Sequence, residues 1–137
     1  NSDGLQMPRF VAYNGAVGQT QLKWLEEQLN ECTIKDKIVI VAGHIPLLIN
    51  ESDKSTMLWN SEELIDILHR YTCVKAYLCG HNHVGHILKS DTFIHITMPA
   101  ILESPLSDVP YGILQITENQ ISLSNMPGYW KATDYFF

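Results

Sequence analysis

Val74-Lys75-Ala76-Tyr77-Leu78-Cys79-Gly80-His81-Asn82-His83 is the stretch on which the fold turns. Its first six residues form an apolar run, broken only by Lys75, that reads as a buried strand. A glycine ends the run, and two histidines one residue apart follow at once. Upstream, Ile38-Val39-Ile40-Val41-Ala42 is a second apolar run, and it closes in Gly43-His44-Ile45-Pro46. Strands apolar throughout belong to sheets covered on both faces, and open sheets present ligands at the carboxyl ends of their strands. Two strands that each end in Gly-His predict one shared site built from neighbouring strand ends.

The segments around these runs fill in the architecture. Leu22, Leu25 and Leu29 recur at helical spacing, which predicts a helix from about residue 20 to 31. A short strand is expected at Phe10-Val11-Ala12-Tyr13. Residues 47–59 form a polar loop directly after His44, suited to a wall or lid. Asn60 followed by Glu63 predicts a capping box, opening a helix whose buried stripe is Leu64, Ile65, Leu68 and Tyr71. After Cys79 come short alternating runs at 84–88, 92–98, 111–117 and 120–124, with a tight turn at Glu118-Asn119. The order is therefore αβαβ followed by an antiparallel meander, an α/β chain. The aromatic tail 129–137 is expected to pack down or to cover a neighbour.

At 137 residues, 45% of them hydrophobic, the chain has material for one domain with its own core. A formal charge of −6 argues against nucleic acid as a partner. No apolar stretch approaches the ~18 residues of a membrane helix, so no membrane partner is expected. The three cysteines, Cys32, Cys73 and Cys79, have no zinc or redox spacing and read as reduced thiols of a cytoplasmic protein. Asn1-Ser2-Asp3-Gly4 lacks an initiator Met and signal character, and reads as the interior of a longer protein.

Histidines at i and i+2 diverge on a helix but can share a site from a turn. Neutral imidazole is the commonest side-chain metal ligand near neutral pH. His44, His81 and His83 are therefore the candidate metal ligands, with Gly43 and Gly80 easing the turns and Pro46 stiffening one of them. His69 reads as a solvated helix residue and His95 as a sheet-surface or rim residue. His86 leaves an alternative open. His81-Asn82-His83-Val84-Gly85-His86 matches part of the His-x-His-x-Asp-His signature of metallo-β-lactamase-like hydrolases, with Gly85 where that signature has an acid.

Gly43-His44-Ile45-Pro46 and Gly80-His81-Asn82-His83 resemble the fourth and fifth motifs of the calcineurin-like metallophosphoesterase superfamily. Arg9-Phe10-Val11-Ala12-Tyr13-Asn14-Gly15, Gln19-Thr20-Gln21-Leu22-Lys23-Trp24-Leu25 and Leu58-Trp59-Asn60 are similar to its manganese-dependent ADP-ribose/CDP-alcohol diphosphatases. The resemblance implies a four-layer α-β-β-α sandwich, of which residues 1–137 are the C-terminal portion of a single domain. It implies a centre of two divalent metal ions bridged by water or hydroxide, manganese first, with zinc, iron or magnesium as alternatives. His44 and His81 would hold one ion and His83 the other. The family's Asp-x-His, bridging Asp, Asn and general-acid His are absent from this stretch, so the N-terminal half of the same protein is the expected partner, and the piece alone is expected to be inactive. The implied substrate is a small nucleoside diphosphate-linked molecule, ADP-ribose or a CDP-alcohol. A phosphodiesterase or phosphomonoesterase on the same scaffold, and a non-catalytic truncated module, are the alternatives. Substrate selection falls to loops 13–18, 47–59 and 99–110, where Asn14 and Glu103 are the polar candidates.

Overall fold

The structure, a computed structural model, describes residues 8–50, 54–103, 111–124 and 133–136. Helix α1 spans Gln19–Ile34 and leads into β1, Val39–Ala42. Helix α2, Ser61–His69, then crosses to β2, Val74–Cys79, which lies parallel to β1 with Ala42 opposite Leu78. The two apolar runs are thus neighbouring strands of one sheet. Their crossover is a helix, as parallel pairing requires.

The chain after β2 departs from the expected meander. β3, His86–Lys89, takes the outer edge, and β4, Ile94–Thr97, returns between β2 and β3. β4 is parallel to β2 and antiparallel to β3. Burial gives the reason: all four β4 residues are buried, whereas β3 is half-buried and ends exposed at Lys89. The more apolar strand takes the covered position. The same burial corrects the reading of His95, which is 0% exposed on this central strand. His69 is half-buried, not solvated; its Nε2 lies 2.5 Å from Ser90 Oγ and its ring stands 5.5 Å from Phe93.

The meander is realised in a second sheet of β5 (Ile113–Ile116), β6 (Gln120–Ser124) and β7 (Thr133–Phe136). Its first turn falls at Glu118-Asn119, where the Thr117 N–H donates to the Gln120 carbonyl at 2.9 Å. β7 lies in the aromatic tail, and within it Tyr135 joins the inter-sheet core. Tail residues 129–132 and 137 lie outside the described residues.

One core fills the space between helices and first sheet, with Leu22, Leu29, Leu64 and Leu68 against Val74, Tyr77 and Phe93. The other joins the sheets, with Ala76, Ile94 and Ile96 against Ile121 and Leu123. β2 alternates accordingly: Tyr77 and Cys79 face the helices, Ala76 and Leu78 the second sheet. The fold is α/β, with helix, sheet and sheet layers as in part of an α-β-β-α sandwich.

Three local expectations are corrected. Residues 10–13 are turns, not a strand, with the Asn14 N–H donating to the Val11 carbonyl at 3.1 Å. α1 runs past residue 31 to Ile34 and ends with Asp36 at φ 52°. There the Lys37 N–H reaches the Cys32 carbonyl at 2.9 Å and the Asp36 N–H the Thr33 carbonyl at 3.2 Å, a Schellman closure. α2 starts where Asn60 predicts, but Asn60 caps no helix N–H. Its amide pairs with the Val17 backbone in both directions, at 3.0 and 2.9 Å, and also reaches Glu63 at 2.8 Å.

Candidate metal centre

β1, β2 and β4 run parallel, so their carboxyl ends open on one edge of the sheet. The turns leaving those ends are stitched together. Gly43 N–H donates to the Leu78 carbonyl at 2.9 Å, and Gly80 N–H to the His44 carbonyl at 3.0 Å. Beyond β4, the Met98 N–H donates to the Cys79 carbonyl at 2.8 Å and the Ala100 N–H to the His83 carbonyl at 3.0 Å. Each turn bearing a candidate histidine is therefore tied to its neighbour through backbone.

The two glycines differ in purpose. A Cβ on Gly43 would run into Tyr77 Oη and lie 2.9 Å from Cζ, so close approach demands the glycine. Gly80 has open space around it, and the left-handed conformation falls one residue later, on His81 itself, at φ 65°. A non-glycine residue there is the kind of backbone strain that clusters at functional sites.

The edge brings His44 and His81 together, with ring centroids 5.1 Å apart and planes near perpendicular. His81 Nε2 lies 2.8 Å from Asn14 Oδ1. Asn14 Nδ2 donates to the Arg9 and Ser55 carbonyls at 2.8 and 2.6 Å, so Oδ1 must accept from His81. That puts the proton on Nε2 and the lone pair on Nδ1. His83 is exposed, and its Nδ1 donates to Glu103 Oε1 at 2.6 Å, which leaves the lone pair on Nε2. Burial first, and then the neighbouring imidazoles of His44 and His83, hold His81 below the ordinary histidine pKa, in its neutral form.

Asn14 and Glu103, expected to meet substrate, are thus engaged with His81 and His83. Asn82, between the two histidines, is buried and turned away; its amide donates to Thr56 Oγ1 at 3.0 Å. With Asn14 on the Ser55 carbonyl, this pins the 54–56 turn beside the site as a wall. Of the loops expected to select substrate, residues 51–53 and 104–110 lie outside the described residues. Cys79 packs beneath the edge, 3.2 Å from Thr97 Oγ1, and burial pushes its thiol up to about 12. His86 does not join His81 and His83; its Nε2 donates to the Leu48 carbonyl at 2.9 Å.

The donor chemistry suits divalent ions. Two imidazoles each have one ring nitrogen hydrogen-bonded and the other bearing a lone pair, the outer-shell arrangement of ligating histidines. Among the described residues, no three His, Cys, Asp or Glu side chains gather on one point. A complete centre needs further donors.

Strand-end histidines on a layered α/β scaffold are consistent with a metallophosphoesterase. The profile of the calcineurin-like phosphoesterases matches residues 1–85, and the chain belongs to that family. It is 38% identical over 116 residues to the manganese-dependent ADP-ribose/CDP-alcohol diphosphatase of Arabidopsis thaliana, covering 84% of this chain and 37% of the relative. Against the Xenopus tropicalis protein of the same name, identity is 31% over 121 residues, covering 88% and 35%. The crystal structure of a dimetal phosphatase from Danio rerio shares the fold, with a TM-score of 0.87 at 24% identity over 93% of this chain and 41% of that one. The chain spans little more than a third of the length of these curated relatives.

Proposed function

We propose that this chain is the C-terminal portion of a two-metal hydrolase that cleaves the diphosphate bond of a nucleoside diphosphate-linked substrate, ADP-ribose or a CDP-alcohol. His44 and His81 are ligands of one divalent ion and His83 of the second, with manganese the first choice. Asn14 and Glu103 orient His81 and His83 by holding their other ring nitrogens. Bound ions would supply Lewis acidity and a nucleophile at neutral pH. The remaining ligands and the general acid come from the N-terminal half of the same protein. The observation that carries this reading is the approach of His44 to His81 at 5.1 Å, from two adjacent strand ends, beside His83 with its carboxylate.

The names of the relatives support the substrate class. The test is a panel of ADP-ribose, CDP-choline, a cyclic nucleotide and a phosphomonoester, assayed with the intact protein and manganese. Preference for the first two is expected. Preference for the monoester would sink the diphosphatase reading, and no hydrolysis of any of them would leave a non-catalytic module. Glu103→Gln should weaken manganese binding by about 10- to 100-fold, read by calorimetry, with the fold retained.

A further inference from the structure

The turn that carries His44 rests on three buried or half-buried side chains from three adjacent strands. Tyr77, on β2, donates from Oη to the Ile45 carbonyl at 3.0 Å. His95, on β4, faces the next backbone groups: its Nε2 lies 3.0 Å from the Leu47 N–H and 3.3 Å from the Leu48 N–H. His86, on β3, places Nε2 2.9 Å from the Leu48 carbonyl and 3.1 Å from Thr97 Oγ1. Backbone amides only donate, so His95 Nε2 is an acceptor and carries no proton. A backbone carbonyl only accepts, so His86 Nε2 is protonated. The His86 and His95 rings lie 5.8 Å apart and within 7° of parallel, and the Tyr77 ring also stacks on His95, at 5.3 Å.

We infer that His95 is a positioning residue. With His86 and Tyr77 it forms a buried platform that clamps the backbone of residues 45–48 and so sets the His44 ring against His81. The two stacked histidines, His95 accepting and His86 donating at Nε2, hold Leu48 by both its N–H and its carbonyl. Only a neutral imidazole can do this. Burial first, and then His86, push His95 down to about 3, so it stays an acceptor at any physiological pH. The arrangement also explains a cost: His95 Nδ1 is buried with no hydrogen-bond partner among the described residues. An unpartnered buried N–H is destabilising, a cost that an apolar side chain on a central strand would avoid. The acceptor on the opposite nitrogen is what the position retains it for.

The effect on metal rests on the reading of His44 as a ligand; the clamp itself does not. The experiment separates them, using the intact protein as wild type, His95→Gln and His95→Phe. Long-range proton–nitrogen correlation on wild type should find His95 protonated at Nδ1 alone. Amide exchange should quicken about tenfold at Leu47 and Leu48 in His95→Phe, with β2 amides unchanged, while His95→Gln, which returns an oxygen near the Nε2 position, keeps protection. Manganese affinity should fall about tenfold in His95→Phe and hold in His95→Gln. A proton on Nε2, or equal exchange at Leu47 in all three proteins, would overturn the platform. Faster exchange with unchanged manganese affinity would overturn the positioning of His44 by the clamp, whereas His44→Ala binding manganese as tightly as wild type would overturn His44 as a ligand.

Discussion

Gly43 and His95 show how single residues carry the site. Gly43 lies against the buried Tyr77 ring, with no room for a methyl group. Gly43→Ala should therefore lose about 1–3 kcal/mol of stability in urea unfolding, and adding Tyr77→Phe should recover part of it by removing the hydroxyl in the way. His95 makes stability depend on pH. Its folded value of about 3 lies below the ordinary 6.5, so the unfolded chain binds the proton more readily. The contribution is full above pH 6.5 and is lost as pH falls toward 3. His86 stacks on the ring, and Tyr77 and Cys79 face it from β2, so no acid lies against it among the described contacts. Between about pH 4 and 6, wild type should lose on the order of 1.4 kcal/mol per pH unit more than His95→Gln, measured by urea titration.

At the level of elements, the C-terminus of α1 and the N-terminal cap of α2 differ from what the sequence predicts. The start of α2 was visible because Asn60 and Glu63 precede an apolar stripe. The cap was not, because Asn60 spends its amide on Val17, a partner 43 residues away. Lys35-Asp36-Lys37 was legible as a break, but the left-handed Asp36 was not. Glycine at that position removes the Cβ penalty, so Asp36→Gly should stabilise the protein by about 0.5–1 kcal/mol, seen as a higher urea midpoint. β1, β2 and the β5–β6 hairpin form where the sequence predicts because their signals, apolar runs and a turn dipeptide, are local. β4 failed as a meander strand because pairing order is set by which strand is most deeply covered, and that depends on the second sheet.

The whole molecule carries apolar surface at its margins. Among the described residues, Ile113, Ile116 and Phe136 on the second sheet are 55%, 48% and 76% exposed. β1 and β5 are edge strands of their sheets. Edges and patches of this kind favour pairing with further chain. If the chain is the C-terminal portion of a larger domain, as proposed, residues 1–137 alone should self-associate, and addition of the N-terminal half should restore a monodisperse species in sedimentation velocity. A cooperative monomer of the isolated piece would count against the chain being part of a larger domain.

Local pattern alone places His44, His81 and His83 at strand ends, because apolar runs closed by Gly-His are read within ten residues. It likewise carried the family, through two motifs that stand unbroken in the chain. What those histidines lean on emerges from long-range packing: Asn14 on His81, Glu103 on His83, and the His95 platform under the turn after His44. These pairs are separated by 67, 20 and 48 residues, and no local pattern encodes them. They exist because burial at a sheet edge leaves a polar group only the partners that folding places within hydrogen-bond reach.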